Sequence, residues 1–546
     1  MTRLIVASVA ALAVAAPAEA GRFAVGVEPG TPVEAVAAAV EEAAGLRADR
    51  TLSGLGAVVV ETSSPERLRS LAGVAYVERL DTAARRPAFA PNDPLAPRQW
   101  HLDAVRAFEF WPEPPPLAGP RVAVVDSGVD GTHPDLVGRV AAHRSFVGGS
   151  ALTDQQGHGT FVAGLIAGTT NNAQGVAGIA FPSQLLVAKV VARNRMVPLE
   201  AEAQAIRWAV DSGARVINLS LGGLRDPRDA HRDTYSPLEA AAVRYAIARG
   251  VVVVAAVGNS DQAPTMPWPW ASYPAALPHV IGVGALSRDN SVPAFSNRDP
   301  IYVDVAAPGN DLISTVPRAL TSARPSCPDQ GYSSCAEDEL RRGEGTSFAA
   351  PQVAAAAALL LSVRPGLKRD QVTNLLTRTA DDVAPANGCA RCAPGRDSHT
   401  GWGRLNVARA LTGSAAPPAP DRFETNDDAA GEAYRLWGRR RMVEATVDFW
   451  NDQVDVYGVF LRRGQRLNAS LDGPYRADST LVLWSPAARR LEQFSLRTLR
   501  QRLAHSSKRG WRQKLAYRAR ATGWHYLQVK VVSARSGPYK LAFAKR

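Results

Sequence analysis

The chain is sparing with cysteine and, after its first twenty residues, with long apolar runs. Four cysteines occur in 546 residues: Cys327, Cys335, Cys389 and Cys392. The single Cys-Ala-Arg-Cys spacing has no second pair at matching ligand distance and no thioredoxin-like surroundings, which favours structural bridges over a metal or redox site. The even set allows three pairings, and closeness in sequence favours Cys327 with Cys335 and Cys389 with Cys392. No segment beyond residue 20 reads as transmembrane. Acidic residues are also short, at 51 Asp and Glu against 63 Lys and Arg, for a net charge of +12. The shortfall is local: residues 421–546 hold 25 Lys and Arg against 12 Asp and Glu, so this segment carries essentially all of the excess.

What is present first is a leader. Met1 to Ala20 has one Arg, an apolar run from Leu4 to about Ala16 and the small-residue pattern Ala18-Glu19-Ala20, which together read as a secretory signal peptide. A run of about 15 residues is too short to span a bilayer comfortably. No Cys follows the leader to take a lipid anchor, so the mature protein is expected to be secreted and extracellular. The rest, at 46% hydrophobic and 21% charged, has the composition of a soluble globular protein with room for several domains.

Residues 21–90 read as a small α+β domain. An Ala-rich amphipathic helix (Thr31 to Ala44) is followed by a strand (Gly56 to Glu61), a helix opened by Ser64-Pro65-Glu66 and a strand (Val74 to Arg79). Residues 91–412 alternate strand and helix patterns. The strands are Arg121 to Val125, Leu185 to Val191, Val216 to Leu219 and Val251 to Val257, with helices at Glu200 to Asp211 and Pro237 to Arg249. That alternation predicts an α/β fold with a doubly wound parallel sheet, whose chemistry gathers at the C-terminal strand ends. Residues 413–420 (Gly-Ser-Ala-Ala-Pro-Pro-Ala-Pro) read as a linker, and the short alternating segments in 421–546 predict an all-β sandwich.

The chemistry centres on Ser347. The run Gly345-Thr346-Ser347-Phe348-Ala349-Ala350-Pro351, continued by Ala and Leu, predicts a helix buried on every side with Ser347 at its start, where free N–H groups favour a developing oxyanion. Asp126 ends a strand, and His158 in Gly157-His158-Gly159-Thr160 opens another small-residue helix. Asp126, His158 and Ser347 are the three parts of a nucleophilic triad: Ser attacks, His takes and returns the proton, and Asp holds the imidazole. His133 is a second available imidazole. Asn259, in Gly258-Asn259 after a strand, can aim an amide at the oxyanion.

Through Val124-Val125-Asp126-Ser127-Gly128, Gly157-His158-Gly159-Thr160, Asn218-Leu219-Ser220-Leu221-Gly222 and Gly345 to Pro351, the chain resembles the subtilases, subtilisin-like serine endopeptidases. The Asp, His, Ser order sets it apart from other triad hydrolases. The resemblance implies a serine endopeptidase that works through an acyl-enzyme, with protein or peptide substrates and no cofactor for the chemistry. It places Ser220, Leu221 and Gly222 along the substrate cleft, pairing an extended peptide as an added strand. It casts residues 21–90 as a propeptide, removed by the enzyme itself, and likens residues 421–546 to the pre-peptidase C-terminal domains of secreted proteases. Phe348 stands where many subtilisins have Met. A structural Ca²⁺ is implied at Asp135 and Asn172, whose oxygens suit that ion. A monomer is expected, and the basic C-terminal domain offers a face for an anionic surface, with Arg489 to Arg520 as its centre. The rivals are a catalytically inactive subtilase fold used for binding and a surface-binding protein led by the C-terminal domain.

Overall fold

The computed structural model describes residues 21–546 apart from 29, 45, 47, 81–88, 111–117, 321–332, 336–340, 414–420, 450–451, 492–498 and 534. The signal peptide, residues 414–420 of the expected linker and the pairing of Cys327 with Cys335 lie outside the described residues and side chains. The chain divides into two units, Met1–Pro87 and Ala88–Arg546.

In the first unit, four antiparallel strands lie in the order Ala48–Leu52, Ala57–Thr62, Gly21–Val27, Val74–Arg79, with helices Val33–Ala44 and Glu66–Arg69. Val25, Val36, Val40, Val58, Val60 and Leu68 make its core. Gly21–Val27, which the sequence pattern did not reveal, is central. Its Gly26 faces the Tyr76 ring so closely that a Cβ would lie 2.0 Å from it.

The second unit is built on seven parallel strands in the order Val305–Pro308, Val280–Leu286, Val252–Ala256, Ala214–Leu219, Arg121–Asp126, Gln184–Lys189, Val140–Ser145. The inner strands are buried along nearly their whole length, as a sheet covered on both faces requires, and this is why they read as unbroken Val and Ala runs. One helix among the described residues, Thr346–Val363, is long and apolar enough to cross a membrane. Ala354 to Ala358 are all buried in the core beside the sheet, so small side chains there let helix and sheet approach closely. Cys389 and Cys392 form a disulfide in a small cluster with Leu286, Ala306 and Val383.

Helices Leu199–Asp211 and Pro237–Ile247 pack together and bury Glu202 and Glu239, each 3% exposed. Burial raises both carboxyls from an ordinary 4.5, Glu202 to about 7 and Glu239 to about 9, and the neighbouring Glu202 pushes Glu239 further up. The folded state therefore holds protons that the unfolded chain has released above pH 4.5. Stability from this pair is complete below that pH and declines as pH rises towards 9. Glu239→Gln is expected to flatten the alkaline loss, with thermal melts at pH 6 and pH 9 differing from wild type by roughly 1–3 kcal/mol. An unchanged difference between the two melts would show that the pair is not protonated.

The C-terminal segment is a sandwich of two sheets. One has the order Tyr434–Leu436, Val454–Leu461, Gly523–Val531, Ser479–Trp484, Arg502–Ser506, and the other Arg440–Asp448, Ser536–Lys545, Arg466–Asp472, Arg512–Arg518. Alternation sorts its side chains: in Arg512–Arg518, Arg512, Lys514 and Arg518 face out while Gln513 and Leu515 face in. Arg500, Arg502, Lys508 and Arg509 are exposed as well. Tyr517 packs against the sandwich core, and Trp511 lies on Tyr475 with ring centroids 5.2 Å apart. Arg490 departs from the expected pattern, since it turns inward against Tyr235 and Tyr273.

Candidate active site

Strand ends and helix starts meet at the carboxyl edge of the parallel sheet. Asp126 ends Arg121–Asp126 and is 2% exposed. The chain turns straight after it, with Ser127 N–H donating to Asp126 Oδ1 at 2.7 Å. His158 opens the helix His158–Ala167, and its Nδ1 lies 2.8 Å from Asp126 Oδ1 and 3.0 Å from Oδ2. An acceptor at Nδ1 makes that nitrogen the protonated one and leaves Nε2 as the base. Burial pulls the His158 pKa down, but the charge and hydrogen bond of Asp126, with the charge of Asp154, outweigh it and hold the imidazole above its usual value. Gly159 permits this approach, because a Cβ there would lie 2.1 Å from the Gly128 carbonyl oxygen and 3.1 Å from Asp126.

Asp154 secures the start of that helix. Its Oδ1 accepts from Ser127 Oγ, Gln156 N and Gly157 N at 2.9–3.0 Å, and its Oδ2 from Thr160 N at 2.9 Å and Thr160 Oγ1 at 2.7 Å. Ser127 Oγ in turn accepts from Gly159 N at 2.9 Å. Residues on both sides of the Asp126–His158 contact thus hang on one buried carboxylate. The sequence motifs alone assign Asp154 no role. The available signal was an acidic side chain four residues before the helix, the kind that satisfies free N–H groups there.

Ser347 is the second residue of Thr346–Val363, after Gly345 with φ 141°. Phe348 is fully buried, its ring centroid 5.2 Å from that of His158 and 4.4 Å from that of Phe161, so the helix carrying Ser347 is packed against the imidazole. Pro351 has no N–H and cannot donate to the carbonyl of residue 347 as a helix would require. Ser220 Oγ fills the gap, donating to the Ser347 carbonyl at 2.6 Å while accepting from Asn218 Nδ2 at 2.9 Å. The Ser220 hydroxyl is therefore committed to the Ser347 backbone, and Leu221 and Gly222 line a cleft together with Gly258, Asn259 and Ser347. Asn259 Oδ1 accepts from Thr346 N at 2.9 Å and Thr346 Oγ1 at 2.8 Å. With its oxygen tied at the helix start, the carboxamide presents Nδ2 as its other end. His133 is occupied in a turn, where its Nδ1 accepts from Asp135 N at 3.2 Å.

Asp135 and Asn172 do meet, but as hydrogen-bond partners. Asn172 turns its Nδ2 to Asp135 Oδ1 at 3.1 Å, Val176 N donates to Oδ2 at 2.9 Å, and Asn172 Oδ1 accepts from Gln174 N. Each oxygen expected to face a cation accepts an N–H in this arrangement and keeps a second lone pair. A second acidic group lies in residues 421–546. Ligand atoms of Glu424, Asp452 and Asp455 fall within 4.8 Å of one another, as do those of His279, Glu424 and Asp427. Asp452 Oδ1 and Asp455 Oδ1 are buried without a hydrogen-bond partner among the described residues, and both Glu424 oxygens are buried with Oε2 facing His279. Their mutual burial and repulsion push Asp452 and Asp455 well above the usual carboxyl range. His279, just before the strand Val280–Leu286, lies 3.2 Å from Asp427 and 3.5 Å from Glu424. Burial opposes its charge, yet the two acids lift its pKa to about 10.

A model of the subtilase family matches residues 118–403. The thermophilic serine proteinase of Bacillus sp. (strain AK1) is 38% identical over 296 residues, covering 54% of this chain and 62% of that protein. The cell wall-associated protease of Bacillus subtilis (strain 168) is 33% identical, covering 56% of this chain and 32% of that protein. Thermitase of Thermoactinomyces vulgaris is 32% identical over 325 residues, covering 59% of this chain and 99% of thermitase. The chain thus spans less than two thirds of the length of the first two relatives and nearly all of the third.

Proposed function

The chain belongs to the subtilase family, and from that premise we propose that it is an exported serine endopeptidase whose nucleophile is Ser347 and which removes its own residues 21–90. The observation that carries this reading is the Asp126–His158 contact at 2.8 Å, with the helix start bearing Ser347 packed beside it through Phe348. The Ser347 hydroxyl attacks the scissile carbonyl as His158 Nε2 takes its proton, and Asp126 stabilises the imidazolium through Nδ1–H. Asn259 Nδ2 and the N–H groups at the helix start receive the oxyanion. Collapse of the tetrahedral intermediate returns the proton from His158 to the departing amine. Water then repeats the sequence on the acyl-enzyme, releasing the acid and restoring Ser347. Leu221 and Gly222 supply the edge along which an extended peptide pairs. The Cys389–Cys392 disulfide supports an oxidising compartment. A fluorophosphonate probe tests the assignment: stoichiometric labelling at Ser347 is expected, and an unlabelled folded protein would leave only a binding role.

The chemistry calls for no cofactor. A structural Ca²⁺ fits the all-oxygen group Glu424, Asp452 and Asp455, with His279 as a fixed cation balancing Glu424 and Asp427. Excess chelator is expected to lower the melting temperature and Ca²⁺ to restore it, because an ion bound only by the folded state stabilises by mass action. Asp455→Asn should weaken that dependence. Melting that ignores chelator in the wild type would mean that protons, and not a cation, neutralise the cluster.

A further inference from the structure

We propose that Arg490, from the C-terminal sandwich, is a positioning residue for the substrate-binding edge of the peptidase domain, favouring extended peptides over short ones. The inference rests on the proposed pairing of substrate along Leu221 and Gly222.

That edge is clamped from two sides. On one side Gly223 and Tyr273 exchange both backbone hydrogen bonds at 2.9 Å. On the other, Thr234 N and Oγ1 both donate to the Leu224 carbonyl, at 2.9 and 3.0 Å. The fit leaves no slack, since a Cβ at Gly222 would lie 2.3 Å from the Tyr273 carbonyl oxygen and one at Gly223 2.2 Å from Thr234 Oγ1. The backbone of the edge therefore follows Tyr273 and Thr234 wherever they go.

Arg490 holds the side chain of Tyr273 and those of Asp233 and Tyr235, the two neighbours of Thr234. Its Nη2 donates to Tyr273 Oη at 2.7 Å, and its guanidinium carbon lies 3.5 Å from the centre of the Tyr235 ring, one residue beyond Thr234. Its Nη1 is 3.6 Å from Asp233, whose side chain is only 7% exposed. The rings of Tyr235 and Tyr273 meet edge to face with centroids 5.5 Å apart, so one planar cation ties both into a unit. Without Arg490, Tyr273 loses its hydroxyl partner and Asp233 is left buried without this cation. The neighbouring Arg489 is exposed, so the inward grip belongs to Arg490. A shift of about 1 Å in a substrate-positioning group is enough to cost on the order of 100-fold in rate, which makes this remote side chain matter to kcat/KM for long peptides.

The test uses the full chain and peptide anilides whose acyl side is lengthened from two to five residues. In wild type the longer peptide should have the higher kcat/KM. In Arg490→Ala that gain should shrink about tenfold, carried by KM of the long peptide more than by kcat, as expected when a positioning contact is lost. Arg490→Lys, which keeps the charge near Asp233 but not the flat stack, should fall between the two. Tyr273→Phe, which keeps ring and backbone, should lose part of the gain. These two milder variants carry the test if Arg490→Ala does not fold, with melting temperature and fluorophosphonate labelling as checks. An unchanged length gain in folded variants would overturn the proposal and leave Arg490 as a docking contact. Equal losses at both lengths would overturn it as general damage. A wild type that gains nothing from lengthening would instead refute pairing along Leu221 and Gly222, and failure of wild-type labelling would refute the enzyme reading itself.

Discussion

Ser347→Ala is expected to accumulate as a chain that keeps residues 21–90, takes up no fluorophosphonate and hydrolyses peptides roughly a millionfold more slowly than wild type. The size of the loss follows from the concerted roles of the residues. Once the hydroxyl is gone, His158 has no proton to take, and its charge pairing with Asp126 serves no step. What survives is stabilisation of the oxyanion by Asn259 and the helix start, acting on direct attack by water. The substitution should leave the fold intact, because the hydrogen bond between the Ser347 backbone carbonyl and Ser220 Oγ does not involve the side chain removed. Mass spectrometry of the purified variant reads the retained segment. Processing of Ser347→Ala at the wild-type rate in purified form would exclude self-removal, and residual labelling would exclude Ser347 as the nucleophile.

The parts of this molecule legible in sequence are those set by local chemistry. Val252–Ala256 is apolar at every position because both its faces are covered, and that is visible in five consecutive residues. The residues that meet at the active site stand in short motifs whose glycines answer to close approaches, as Gly159 does to Gly128 and Asp126. Val140–Ser145 was not legible, since a half-exposed edge strand written Val-Ala-Ala-His-Arg-Ser has neither strict alternation nor a continuous apolar run. Val280–Leu286 was hidden by Gly282 and Gly284. The former is there because a Cβ would lie 2.0 Å from the Tyr302 carbonyl oxygen. Long-range satisfaction of polar groups was illegible as well. Pro351 announces that the Ser347 carbonyl needs another donor, but nothing local names Ser220, 127 residues away, as that donor. Arg490 reads as one more cation in a basic run until the fold brings it to Tyr273, 217 residues earlier. Burial also decided the acidic signature of residues 421–546, because only the packed structure shows Glu424, Asp452 and Asp455 facing one another.

Asp126→Asn should lower kcat/KM by about 10⁴-fold while leaving the protein folded and Ser347 in place. The carboxylate is buried at 2% exposure and spans both of its oxygens across His158 Nδ1, so the charge, and not bulk, is what the change removes. An amide can offer Nδ1 either an oxygen or an N–H. The second choice forces the proton onto Nε2, where the base must be free. The pH profile distinguishes this from a loss of structure. In the wild type, burial depresses the His158 pKa, and the Asp126 charge and hydrogen bond, with Asp154, overcome it. Removing the Asp126 charge leaves burial less opposed, so the His158 pKa must fall. Activity depends on neutral imidazole and rises with pH through that value. The acid limb of kcat/KM should therefore move to lower pH in Asp126→Asn even as the plateau drops. A limb that stays in place, or moves to higher pH, would mean that Asp126 does not set the charge state of His158.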